Sequence, residues 1–137
     1  MEPPSEISDF LTGLDRRSGA TDAMIEESQK RLSVKLPHQY VEFLKLTNGA
    51  EGFVGNNSYA ILWGIDELEH LNKGYKVQEY IPGLLMFGSD GGGEAYGFDM
   101  RIPDWPIVQV PFIPMEWGLA RPLGASFYKF LEILYQS

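Results

Sequence analysis

The chain has no cysteine among its 137 residues, which excludes disulfides, thiol nucleophiles and cysteine-ligated zinc or iron–sulfur centres. Histidine is scarce, with two residues in all. They do not stand at the four-residue spacing of a helical metal site, so no transition-metal centre is expected. No run of about 18 apolar residues occurs, and no membrane-spanning helix is expected. The opening Met1-Glu2-Pro3-Pro4-Ser5-Glu6 has neither a basic stretch nor an apolar one behind it. The expectation is therefore a soluble, cytoplasmic protein without a secretion signal. Positive charge is also short: 11 Lys and Arg face 19 Asp and Glu, a net charge of −8. Such a field repels nucleic-acid backbones and anionic membranes and draws in cationic surfaces. There is no internal repeat, no low-complexity tract and no Gly-x-Ser-x-Gly elbow. Neither a catalytic constellation nor a cofactor is read from the chain.

What is present suits one globular domain over 1–137, with 44% apolar residues and no linker long enough to separate domains. Ile7, Phe10, Leu11 and Leu14 recur at helical spacing and predict a short helix over 6–14, within an N-terminal helical extension over 1–20. Thr21 is placed to cap a second helix reaching Leu32, with Ile25 on its buried side. Pro37 fits the first turn of a third helix, whose stripe is Tyr40, Phe43, Leu44 and Thr47. Asn48-Gly49 closes it, glycine tolerating the left-handed turn there. The period then changes. Tyr59-Ala60-Ile61-Leu62-Trp63, Leu84-Leu85-Met86-Phe87, Ala95-Tyr96-Gly97-Phe98-Asp99 and Ile107-Val108-Gln109-Val110 read as strands. One helical interruption is predicted over 65–72, running on towards Tyr80. A last helix over 126–136 presents Phe127, Phe130, Leu131, Leu134 and Tyr135. Helices at both ends and short connections between strands give an α+β fold: one mostly antiparallel central sheet flanked by N-terminal helices and a C-terminal helix.

One segment stands out as a candidate site. Asp90-Gly91-Gly92-Gly93-Glu94 sets three glycines between two carboxylates, at a folding cost of about 0.5–1 kcal/mol per glycine. It reads either as a binding loop presenting Asp90 and Glu94 or as a hairpin whose acids solvate the turn. It is no phosphate loop, because no Gly-Lys-Ser/Thr follows and the flanking acids oppose phosphate. Nor does bare glycine supply the alternating oxygen ligands of a calcium loop. Tryptophans beside acids, Trp105 after Asp104 and Trp117 after Glu116, are candidate anchors for a basic protein surface.

The order of these landmarks resembles the SUKH superfamily over about residues 22–135. The run from Ile25-Glu26-Glu27 through Leu36-Pro37-His38-Gln39-Tyr40 to Asn48-Gly49 carries one portion of the likeness. Phe87-Gly88-Ser89-Asp90-Gly91-Gly92-Gly93-Glu94, Tyr96-Gly97-Phe98-Asp99 and Ser126-Phe127 carry the rest. That superfamily groups bacterial immunity proteins of polymorphic toxin systems with the fungal Smi and Knr cell-wall regulators. The resemblance implies an α+β binding domain without catalysis, structural roles for Leu36, Pro37, Asn48 and Gly49, and a surface role for Asp90 and Glu94.

The expectation is thus a non-catalytic immunity protein that neutralises a basic, nuclease-type toxin through an acidic surface. Asp90, Gly91, Gly92, Gly93, Glu94, Asp99, Trp105, Glu116 and Trp117 are its candidate contacts. No nucleic acid and no membrane partner is expected, and no oligomeric state is read. The alternatives are a small-molecule or ion-binding domain, with a pocket lined by aromatics and the Gly91–Gly93 turn, and a regulatory scaffold unrelated to toxins.

Overall fold

A computed structural model of the chain describes residues 6–137. Seven strands form one sheet in which each strand lies beside its neighbours in sequence, and every pairing is antiparallel. The strands are β1 (Leu14–Arg16), β2 (Ala50–Val54), β3 (Ser58–Leu62), β4 (Leu84–Ser89), β5 (Glu94–Asp99), β6 (Ile107–Pro111) and β7 (Arg121–Pro122). Between β1 and β2 run α1 (Asp22–Leu32) and α2 (His38–Leu46). Between β3 and β4 run α3 (Leu68–Gly74) and α4 (Val77–Tyr80), and α5 (Phe127–Gln136) ends the chain. The α+β architecture expected from the pattern is the one observed.

Local chemistry sets the helix ends. The Thr21 hydroxyl accepts from the Met24 N–H at 3.1 Å to start α1, and Ser126 accepts from Lys129 at 3.2 Å to start α5. After α2 the chain leaves through Gly49, whose φ of +90° only glycine takes without strain.

The core lies between one face of the sheet and the helices α2 and α5. Tyr40 is at its centre, with the rings of Phe87, Phe98 and Phe127 at centroid distances of 5.1–5.5 Å. Phe43, Phe127 and Phe130 complete an aromatic layer sealed from water. Burying each such ring contributes about 1.5–3 kcal/mol. On the opposite face α3 and α4 lie against β4, and β4 is buried along its whole length.

Two predicted helices are corrected. Over 6–14 the helix is only a 3-10 turn, Ile7–Leu11, and Leu14 begins β1 instead. At Gly13 the backbone comes so close to the Phe53 carbonyl that a Cβ would stand 2.6 Å from it, and the following residues pair with β2 rather than coil. Ile7, Phe10 and Leu11 are buried in the main core, so this segment packs into the domain; the first five residues of the predicted 1–20 extension lie outside the described residues. The segment from Ile65 is not one helix to Tyr80 either. It breaks into a 3-10 turn, α3 and α4, with Lys76 at φ 56° between the last two. β1, β2 and β7 were not expected as strands.

Candidate functional site

The β4–β5 turn is held by its own bonds. The Asp90 N–H donates to the Glu94 carbonyl at 3.0 Å. Asp90 Oδ1 accepts from the Gly92 N–H at 2.7 Å and the Glu94 N–H at 3.1 Å, and Ser89 Oγ accepts from Gly91 at 2.8 Å. A further bond, from the Phe112 N–H to the Gly93 carbonyl at 3.0 Å, ties the turn to the strand beyond β5. Gly91 and Gly93 have φ of +77° and +104°, so the backbone requires glycine at both. Gly92 differs. Its φ is not in the left-handed range, and a Cβ there would meet only the Asp90 carboxylate, in ordinary contact at 3.6–3.9 Å. All three glycines are exposed. The fold demands two of them and leaves the third bare.

The other sequence-predicted residues do not all gather here. Glu94 projects on the α5 side of the sheet, where its Oε1 accepts from Gln109 Nε2 at 3.3 Å and from Arg121 Nη2 at 3.4 Å. Asp99 sits at the far end of β5, about 17 Å of strand away at 3.4 Å per residue, and it is buried rather than a surface contact. Its carboxylate takes Arg101 Nε at 3.0 Å and Nη2 at 3.1 Å, a two-pronged pair. Burial alone would raise the Asp99 pKa, but the Arg101 side chain, its backbone N–H and its charge together hold it below the usual carboxylate range. The Arg101 guanidinium lies 3.4 Å from the Trp117 ring centroid, and Trp117 Nε1 donates to the Pro82 carbonyl at 2.8 Å. Trp117 and Trp105 are half-buried, Trp105 against Phe98, while Glu116 is exposed. The nine candidates therefore divide between the exposed turn and the Arg101 end of β5.

A surface that the sequence reading missed adjoins the turn. On β1–β3 the side chains that alternate away from the core are Asp15, Glu51, Phe53, Tyr59 and Ile61. The register sets Asp15 opposite Glu51 and Phe53 opposite Tyr59. Tyr59 donates its hydroxyl to the Glu51 carboxylate, and this bond, then burial, then the Glu51 and Asp15 charges raise the Tyr59 pKa above its ordinary value. The Phe53 ring meets Tyr59 edge to face at 5.3 Å. The bare position of Gly91 lies over Tyr59 and Ile61. Beyond the turn the aromatic run continues, Tyr75 stacking on Trp63 at 6.2 Å and touching Phe112 at 4.9 Å. The alternation Glu51-Gly52-Phe53 was the available signal, but only the strand register shows what stands beside it.

Two open grooves, of about 530 and 610 Å³, lie elsewhere between α1 and the α3–α4 segment, and both are lined by Arg31, Leu32, Glu69 and Lys73. Arg31 and Glu69 pair across them at 2.7 Å. Among the described residues no group of three or more His, Asp or Glu side chains is placed to hold a metal ion. No helix among them is long and apolar enough to cross a membrane.

The family description SMI1 / KNR4 family (SUKH-1) matches residues 19–133. A stretch of 76 residues is 34% identical to KNR4/SMI1 homolog 1 of Debaryomyces hansenii, covering 51% of this chain. The same stretch spans 17% of that fungal relative's length.

Proposed function

The chain belongs to the SMI1/KNR4 family (SUKH-1), and from that premise we propose that it is a non-catalytic module that binds a basic protein and neutralises it, as an immunity protein does its toxin. The observation that carries the reading is the Asp90–Glu94 turn. Its three glycines are exposed, it is fixed by its own hydrogen bonds, and it is bare at Gly92 where the backbone makes no demand for glycine. A preorganised protrusion of this kind docks without the entropic cost of ordering a loop. Its lack of side chains lets a partner approach the backbone closely. The net charge of −8 supports a cationic partner: a nuclease must hold nucleic acid in a positive cleft, and an acidic binder is steered into it. The protein acts in the cytoplasm, one copy to each effector.

The test is capture of partners from the native lysate at low salt, release at high salt, and assay of the released protein. A single basic effector, bound one to one and losing its activity on rebinding, is the expected result. An empty capture, together with a clear thermal shift on adding nucleotides, sugars or divalent ions, would move the function to ligand binding; saturation at 100 times the dissociation constant adds about 2.7 kcal/mol.

A further inference from the structure

The seven-stranded sheet is covered unevenly. On the α5 side the rings of Phe127 and Phe130 pack on Phe87 of β4 and Tyr96 of β5. On the other side α3 and α4 cover β4, whereas the outward side chains of β1–β3 stay open, with Phe53 47% exposed and Tyr59 and Ile61 half-buried. This part-open face beside a rigid turn sets two exposed acids, Asp15 and Glu51, next to the exposed Phe53 ring, a mixture of charge and aromatic surface suited to a protein partner.

We propose that the outer face of β1–β3, centred on Glu51, Phe53, Tyr59 and Ile61 and bounded by the Asp90 turn, is the docking surface for a protein partner that presents lysine or arginine beside apolar side chains. This inference rests on the binding reading above and names the surface that would serve it.

Charge decides the occupant. None of the five residues on this face is basic. Asp15 stands directly opposite Glu51 on the neighbouring strand, and neither pairs with a cation among the described residues. Like charges directly opposite across two strands destabilise the sheet, and an incoming ammonium or guanidinium group between them would relieve that repulsion. The Tyr59 hydroxyl fixes the Glu51 carboxylate in place, so a cation meets a positioned acceptor. The faces of Phe53 and Tyr59 add cation–π attraction and apolar area. A second copy of this chain is disfavoured on the same ground, since it would bring Asp15 and Glu51 against their own kind. Nucleic acid is disfavoured by the same charges.

The test is amide and methyl NMR of the whole chain titrated with a short blocked peptide in which arginine and leucine alternate, and with its glutamate–leucine counterpart. The basic peptide should shift Glu51, Phe53, Tyr59, Ile61 and Gly91, and the acidic one should not. Glu51→Gln and Phe53→Ser, both at exposed positions, should weaken binding roughly tenfold, as loss of a central anchor does. Ile133→Ser on the exposed side of α5 should leave it unchanged, and melting temperatures confirm that each variant is folded. Shifts centred on α1 or α5, equal weakening by Ile133→Ser, a concentration-dependent dimer through this face, or no shift at all would overturn the surface. The lysate capture decides the binding reading independently: a basic effector retained equally by Glu51→Gln and Phe53→Ser would sustain that reading and reject this surface.

Discussion

Asn72 and Met86 bond as two residues on adjacent strands do. The Met86 N–H donates to Asn72 Oδ1 at 2.9 Å, and Asn72 Nδ2 donates to the Met86 carbonyl at 2.9 Å. The ladder between β3 and β4 covers only Ile61–Ser89 and Leu62–Gly88, with Trp63 adding a bond to Phe87. Past that point β3 has turned away and the buried edge of β4 needs a partner, which α3 provides. Gln78 serves the same edge from α4, donating to the Leu84 carbonyl at 2.7 Å.

Asn72→Ala would leave the Met86 N–H and carbonyl buried and unpaired, at about 2–4 kcal/mol of stability. Asn72→Asp should cost more. The second hydrogen of Asn72 Nδ2 goes to the Leu68 carbonyl at 2.8 Å, so a carboxylate there would face two carbonyl oxygens with nothing to donate. Urea unfolding of both variants measures this; a cost below that of an ordinary surface substitution would show that the amide does not hold the edge.

Tyr40 makes the opposite case. Its hydroxyl is buried and has no hydrogen-bond partner among the described residues, while its ring is packed on every side. Tyr40→Phe should stabilise the fold by roughly 1 kcal/mol, because only an unsatisfied polar atom is removed. Burial also pushes the Tyr40 phenol far above its ordinary pKa. A raised folded-state pKa supports stability below the unfolded value, near 10, and loses it as pH rises beyond. The variant should therefore resist alkaline unfolding better than the parent. A destabilised Tyr40→Phe would mean that the hydroxyl has found a bond.

Asp99 sets the acid side. Its pKa is depressed, so its contribution is complete above the unfolded carboxylate value, about 3.9, and disappears as pH falls through the lower folded value. Asp99→Asn should cost roughly 1–2 kcal/mol at neutral pH. The gap between variant and parent should be flat from pH 7 to about 5 and close below pH 4. A gap that persists at pH 2 would assign the cost to packing instead.

Gly92 separates fold from function. Gly92→Ala should leave stability within about 0.5 kcal/mol of the parent, whereas Gly91→Ala, at φ +77°, should cost about 1 kcal/mol or more. Gly92→Trp should fold normally and fail to bind the captured partner. Full binding by that variant would remove the turn from the interface.

The features of this structure that were legible in the sequence are local ones. The Thr21 cap, the Tyr40–Phe43–Leu44 stripe and the buried face of α5 all follow from residues within a turn or two of one another. β1, β2 and β7 were not legible, because their existence depends on partners distant in sequence: Leu14 pairs with Gly52, and Arg121 with Gln109. Gly52 also dilutes the strand signal of β2. The Asp90 turn announced itself through its glycines, but the Asp15–Glu51–Tyr59 constellation spans three strands and appears only with the register. The burial of Asp99 was not legible, because a carboxylate two residues before Arg101 reads equally as an exposed ion pair until the fold closes over the end of β5.

A sheet that leaves some of one face open can meet other chains through that face or along its rim. Here both outermost strands are stubs, β1 of three residues and β7 of two, and β7 ends in Pro122, which has no N–H to offer. A passing strand that tried to lengthen the sheet would find almost no free ladder to join, so templated growth into aggregates is cut short. Encounters are left to the open face and the turn beside it, whose fixed shapes discriminate between partners as a bare backbone edge does not.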